Sequence, residues 1–202
     1  KVPFDFDALG VDMLTVSAHK FGGPMGTGAL VVRKGFYLSA QQIGGGQEGY
    51  RRAGTQNVPG IAGFGAAAQW WIENDIDLTV VMKLRDRLEL ACREFGATVF
   101  GADAVRLPNT SCLTMPGVSS ETQVMAFDLD GIAISAGSAC SSGKVGPSHV
   151  LAAMGAPTEL AASAIRVSLG WDTREDDIEL LIGAWTALYR RKNSAPSTRL
   201  AS

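Results

Sequence analysis

Three side chains that could do chemistry stand close together: Ser17, His19 and Lys20. They follow an apolar run, residues 11–16, that is typical of a buried strand, and they precede a Gly-Gly-Pro turn signal. Most lysines are solvated, but an amine that leaves the end of a buried strand can be kept neutral and nucleophilic. The neighbouring hydroxyl and imidazole suit a phosphate. The segment therefore favours a lysine that holds pyridoxal phosphate, which needs an amine beside a phosphate site.

A second segment places a cysteine in a loop. A short β-branched run, residues 132–136, gives way to a stretch rich in glycine and serine with Cys140 in its middle. Such a stretch has little apolar surface to pack and enough glycine to stay mobile. Free cysteines are usually buried and inert, so this position indicates reactivity. Cys92 and Cys112 lie in helix-like and strand-like patterns and are interpreted as small core residues.

Arg166 and Thr55 each leave two interpretations open. Arg166 lies between Ile165 and Val167 in a strand-like run, so its side chain must point to the other face and needs a partner. That partner is either a structural carboxylate or an anionic ligand. Thr55 precedes a predicted helix that begins near Val58, where a hydroxyl serves either as a cap or in an anion site.

Five motifs in register give the chain a resemblance that spans nearly its whole length. It resembles the cysteine desulfurases of the NifS/IscS group, which have the class V aminotransferase-like fold. The motifs are Ser-Ala-His-Lys at 17–20, Gly-Gly-Gly-Gln-Glu at 44–48, Arg-Arg-Ala-Gly-Thr at 51–55, Ser-Ala-Gly-Ser-Ala-Cys-Ser-Ser at 135–142 and Ala-Ile-Arg-Val-Ser-Leu-Gly at 164–170. One departure is Gly49-Tyr50, where the family usually has Arg-Gly, and it puts any role of that arginine in doubt.

The resemblance implies a cofactor site. Lys20 would bind pyridoxal 5'-phosphate covalently, with Ser17 and His19 at its phosphate. The threonine that matches Thr55 reaches the phosphate of the other subunit in this family, which implies a homodimer.

The resemblance also implies a substrate and a reaction. Arg166 would bind the α-carboxylate of L-cysteine, and Cys140 would take the sulfur as a persulfide and release L-alanine. The persulfide would pass to an acceptor protein, such as an iron–sulfur scaffold. Two alternatives stay open. One is another class V aminotransferase or lyase, which has no need of Cys140 in a loop, and the other is an inactive fragment that acts as a binding module.

The expected fold is α/β, the fold type I of pyridoxal-phosphate enzymes. Residues 1–75 would be the end of a large cofactor-binding domain, 76–192 a small α+β domain with the Cys140 loop, and 193–202 a disordered tail. The chain begins at Lys1 and has about half the family's length, so we expect a C-terminal half. The family's ring-stacking histidine, aspartate and glutamine have no counterpart here, and the chain alone is expected to be inactive.

Periodicity predicts the elements around these residues. Residues 11–17 and 28–33 are expected to form neighbouring strands joined by the Lys20 turn. Apolar residues at helical spacing predict a helix from Val58 and another from Leu78 with a break between them, while Ser120 is expected to cap a short helix.

Composition excludes several classes of protein. The 202 residues are 46% hydrophobic and 19% charged with a net charge of −2, which gives no basic surface for nucleic acid or an anionic membrane. No apolar run is long enough to span a bilayer, and the first residues do not resemble a secretory signal. Three cysteines without a pattern argue against a disulfide framework or a zinc site. A reducing compartment, the cytoplasm, is therefore expected.

Overall fold

The computed structural model describes residues 5–74, 76–137 and 148–193. The chain divides into two compact units, one that runs to Ile76 and one that begins at Asp77. Asn74 ends the last helix of the first unit and Asp77 caps the first helix of the second, where its carboxylate accepts a hydrogen bond from the Thr79 amide at 2.9 Å.

The first unit contains a two-stranded antiparallel sheet. Strand β1 is Met13–Ser17 and strand β2 is Gly28–Val32, with Ser17 directly opposite Gly28. A short 3₁₀ helix, Ala18–Phe21, follows β1 at once. The predicted pair of neighbouring strands joined by the Lys20 turn is confirmed.

Two helices complete the first unit. The one-turn helix α1 is Gln47–Tyr50, and helix α2 is Val58–Glu73. Asn57 caps α2, because its Oδ1 accepts a hydrogen bond from the Gly60 amide at 3.2 Å. Pro59 in the first turn suits a helix start, where its missing N–H is not needed.

The first unit buries little of its apolar surface. Among its described residues only Ala18 and Gly60 are buried, while Met13 and Leu30 of the sheet are 43% and 46% exposed. The expectation that the strand before Lys20 is buried is therefore wrong for the described residues. The physical reason is that a sheet of two strands, with α2 against its connecting turn, covers neither of its faces completely.

The second unit packs helices on a three-stranded antiparallel sheet of order β3-β5-β4. Its elements in chain order are α3 (Leu78–Arg93), β3 (Thr110–Thr114), α4 (Ser120–Leu129), β4 (Ser135–Ala136), α5 (His149–Ala153), α6 (Thr158–Ala162), β5 (Ala164–Ser168) and α7 (Glu175–Asn193). Helices α3, α4 and α7 contact one another or the sheet and enclose the main core.

Side chains of strand β5 alternate between the core face of the sheet and the opposite face. Ile165 and Val167 are 1% and 6% exposed and belong to the core, whereas Arg166 between them is half-buried on the other face. The main core also contains Phe127 of α4 and Trp185 of α7, which are almost fully buried. The alternation therefore fixes the side of the sheet from which Arg166 projects.

Three details of the second unit differ from expectation. The cap of α4 is Ser119 rather than Ser120: its Oγ accepts from the Thr122 amide at 3.3 Å, and Ser120 is the first helical residue. Two adjacent serines make the cap ambiguous by one position in the sequence. Helix α6 was not predicted. Asn193, expected to begin the tail, is the last residue of α7 and donates a hydrogen bond to the Pro116 carbonyl. Residues 194–202 lie outside the described residues.

Candidate active site

Lys20 lies on a turn that backbone hydrogen bonds close at both ends. The Ala18 amide donates to the Thr27 carbonyl at 3.0 Å, and the Gly23 amide donates to the Ala18 carbonyl at 2.9 Å. Gly22 caps the 3₁₀ helix at φ 92°, a conformation that glycine adopts without a steric penalty. A Cβ on Gly23 would lie 2.8 Å from that of Ala18, so only glycine lets the chain fold back so closely.

Helix α2 anchors this turn. The Phe21 and Phe64 rings meet edge to face with centroids 5.3 Å apart, and the Trp71 indole donates a hydrogen bond to the Phe21 carbonyl at 2.8 Å. Phe21 directly follows Lys20, so these contacts fix the backbone that carries the amine. In the sequence, Trp71 lies on the apolar face of the predicted helix and indicates packing, not this hydrogen bond. The one indication of such a bond is that a partly buried indole N–H needs an acceptor, but this does not identify the acceptor.

The side chains of Ser17, His19 and Lys20 make no hydrogen bond or ion pair with the described residues. His19 and Lys20 are exposed and Ser17 is half-buried. The group therefore presents an amine, an imidazole and a hydroxyl, none of them engaged by the described residues, within four consecutive residues. This donor set fits pyridoxal phosphate: the amine can bond the cofactor's carbonyl carbon, while the other two can donate to its phosphate. The enclosure expected around Lys20 is not supplied by the described residues.

Thr55 is exposed, and its hydroxyl has no hydrogen-bond partner among the described residues. Since Asn57 caps α2, the interpretation of Thr55 as that helix's cap is wrong. Its role at a phosphate stays a prediction. The departure from the family pattern, Gly49-Tyr50, falls in a stretch with left-handed backbone: φ is 62° at Gly49 and 64° at Tyr50.

Arg166 has neighbours on both adjacent strands. In the sheet register it lies directly across from Cys112 of β3 and Ser135 of β4. Its Nη2 donates a hydrogen bond to the Ser135 Oγ at 3.2 Å. No carboxylate of the described residues lies within ion-pair distance of Arg166. The alternative of a structural salt bridge is therefore wrong within the part of the chain that is described.

Arg166 faces a cleft of about 320 Å³ within the second unit. The cleft is mainly apolar, with Leu151, Ala161 and Ala164 in its wall. Gly137 and Ser148 also line it. These two residues flank the segment 138–147, which contains Cys140 and lies outside the described residues. The cleft is therefore lined by the two described residues on either side of the segment that carries the predicted nucleophile.

The two described cysteines have poorly acidic thiols. Burial and the negative charge of Glu89 raise the pKa of the Cys92 thiol to about 12. Burial also raises the pKa of Cys112, although the nearby positive charge of Arg166 acts in the opposite direction. A thiol must lose its proton to become a good nucleophile, so neither residue is set up as one.

The described residues carry neither a metal-binding cluster nor a membrane-spanning helix. They contain no group of three or more His, Cys, Asp or Glu side chains placed to hold a metal ion. None of the described helices is both long and apolar enough to cross a bilayer.

Comparison with known proteins gives the family. Residues 1–181 match the family model described as aminotransferase class V. The chain belongs to the class V aminotransferase family. Within this family it is 42% identical to a cysteine desulfurase of Sinorhizobium fredii over 194 residues, which are 95% of this chain and 50% of that protein. It is 43% identical over 180 residues to the cysteine desulfurase IscS of Dictyoglomus turgidum, covering 88% of this chain and 46% of the relative.

The chain is also similar in structure to solved members of this family. The NifS-like protein of Rickettsia africae superposes with a TM-score of 0.81 at 36% identity, over 93% of this chain and 50% of the other. The predicted resemblance to the NifS/IscS group and the predicted fold type I are confirmed. The chain spans about half the length of the curated relatives it matches.

Proposed function

We propose that the complete protein is a pyridoxal-phosphate-dependent cysteine desulfurase, which converts L-cysteine to L-alanine and keeps the sulfur as a persulfide. Its relatives named cysteine desulfurase support this, at 42% and 43% identity. The structural observation that carries the proposal is the Arg166 cleft. The cleft is lined by a guanidinium without a carboxylate partner among the described residues, and by Gly137 and Ser148, which flank the segment that contains Cys140. An aminotransferase needs an arginine for the substrate carboxylate but no cysteine segment beside it.

Lys20 is the residue that would hold the cofactor, with Ser17 and His19 at its phosphate and Thr55 at the phosphate of a second subunit. Pyridoxal phosphate, when bound, supplies an electron sink for the carbon chemistry of the substrate. The amine of Lys20 would also be the base that moves the proton at the substrate Cα. Its exposed position on a turn anchored to α2 leaves the side chain free to do both.

Arg166 would bind the substrate carboxylate, because its planar guanidinium can donate two parallel hydrogen bonds to two oxygens. Cys140, as the thiolate, would attack the substrate sulfur: an S–S bond forms and the substrate's C–S bond breaks. The overall change is balanced, since cysteine and the enzyme thiol become alanine and the enzyme persulfide. Cys92 and Cys112 take no part, in keeping with their raised pKa values.

The same proposal covers the organisation of the protein. The unit that ends at Ile76 would be the last part of the large cofactor-binding domain, and the unit from Asp77 would be the small domain. The protein would work as a cytoplasmic homodimer and pass its sulfur to an acceptor, such as an iron–sulfur scaffold.

The proposal is tested by replacing the nucleophile in the complete protein. Cys140→Ser is expected to retain the cofactor and to lose both alanine and sulfide release from L-cysteine. Cys112→Ser, the matched variant at the cysteine opposite Arg166, is expected to keep both. Normal desulfuration by Cys140→Ser would contradict the proposal and favour another class V activity.

A further inference from the structure

Ser135 and Arg166 form a cross-strand pair in which a half-buried arginine on the central strand contacts a neutral hydroxyl. They are directly opposite in the β4–β5 register, so both side chains lie on the same face of the sheet. The Ser135 hydroxyl is the sole hydrogen-bond partner of the guanidinium among the described residues, at 3.2 Å. We propose that Ser135 is the residue that positions Arg166 to bind the substrate carboxylate, an inference that rests on the function proposed above.

The type of partner matters because of charge. A carboxylate beside Arg166 would neutralise the guanidinium and compete with any anionic ligand. A serine hydroxyl is neutral and occupies one of the five N–H donors, which leaves the full positive charge and a free fork for two oxygens. Ser135 can therefore orient the side chain without weakening its attraction for an anion.

The location of Ser135 also supports its role in orienting Arg166. Strand β4 has two residues, Ser135 and Ala136, and the next residue, Gly137, lines the same cleft as Arg166. The hydroxyl thus contacts a guanidinium that lines this cleft. An arginine side chain has large rotamer freedom, and ordering such a side chain only on binding would weaken the affinity. A guanidinium already fixed by Ser135 avoids much of that loss.

The test compares ligands with and without a carboxylate in the complete, cofactor-loaded protein. Ser135→Ala is expected to weaken L-alanine binding about three- to tenfold by calorimetry, the range expected for one side chain that is no longer pre-ordered. The KM for L-cysteine should rise by the same factor, with kcat within about twofold. Binding of cysteamine, which lacks a carboxylate, should not change. Ser135→Thr, which keeps the hydroxyl, should bind L-alanine like the wild type.

Two further variants separate the inference from the proposed function. Ser168→Ala removes an exposed hydroxyl on the same face of β5 and is expected to have no effect. Arg166→Ala should weaken L-alanine binding more than Ser135→Ala. If Arg166→Ala weakens it and Ser135→Ala does not, the inference is overturned while the role of Arg166 stands. If neither does, the proposed carboxylate site itself is wrong. Equal weakening of cysteamine in Ser135→Ala would also overturn the inference, because the effect would not depend on the carboxylate.

Discussion

The hydrogen bond from Trp71 to Phe21 gives a sharp prediction about the turn that carries Lys20. It joins residues 50 positions apart at a distance of 2.8 Å in a partly buried setting. Trp71→Phe keeps an aromatic ring in α2 and removes the donor. A hydrogen bond of this kind contributes about 1 kcal/mol net, so local opening of the turn should become about fivefold more frequent.

Hydrogen exchange measures this opening. In the cofactor-free complete protein, the Ala18 and Gly23 amides are bonded within the turn and should be protected. In Trp71→Phe these two amides are expected to exchange about fivefold faster, and pyridoxal phosphate should bind more weakly by up to the same factor.

Trp70→Phe is the matched control for this experiment. Trp70 precedes Trp71 on α2, and the two rings meet edge to face at 5.2 Å. Its replacement leaves the bond to Phe21 in place, so exchange at Ala18 and Gly23 should stay at the wild-type rate. Equal exchange in Trp71→Phe and the wild type would refute the claim that α2 holds the Lys20 turn through this bond.

Two other predictions concern the second unit. Arg106 donates two hydrogen bonds to the buried carboxylate of Glu89, at 2.6 and 2.7 Å; burial alone would raise the pKa of Glu89, but these bonds hold it below its ordinary value. A lowered pKa means stability that is present above about pH 4.5 and is lost as the pH falls through the folded-state pKa. Glu89→Gln should therefore lower the free energy of unfolding by about 2–3 kcal/mol at pH 7, as measured by denaturant unfolding. The difference in unfolding free energy between this variant and the wild type should shrink towards pH 3, and a constant difference would contradict the prediction. Separately, iodoacetamide at neutral pH should leave Cys92 unmodified in the native protein, because its pKa is about 12, and mass spectrometry should find Cys140 modified first. Rapid alkylation of Cys92 would show that its burial is wrong.

Much of the local framework could be predicted from the sequence. The strand pair around Lys20 followed from an apolar run, a Gly-Gly-Pro turn and a second apolar run. The orientation of Arg166 followed from its two apolar neighbours, because side chains alternate along a strand. The break between α2 and α3 followed from the polar residues Asn74 and Asp77, which end one helix and cap the next.

The features that could not be predicted depend on contacts between residues far apart in the sequence, which no local sequence pattern indicates. An apolar run indicates that a strand favours burial, but not which elements cover it, and β1 remains largely uncovered within the described residues. The Trp71–Phe21 bond and the Ser135–Arg166 pair join residues 50 and 31 positions apart. Such pairs arise from the packing of a helix on a turn and from the register of two strands. The cap at Ser119 differed from expectation by one residue, because two adjacent serines are chemically equivalent as caps.

The proposal that Lys20 holds pyridoxal phosphate is tested by locating the residue to which the cofactor is covalently attached. The complete protein, loaded with the cofactor and reduced with borohydride, is digested and analysed by mass spectrometry. The pyridoxyl group is expected on the peptide that contains Lys20, and Lys20→Ala is expected to abolish both this adduct and the visible absorbance of the bound cofactor. An adduct on a different lysine, or an unchanged reducible chromophore in Lys20→Ala, would contradict the proposal.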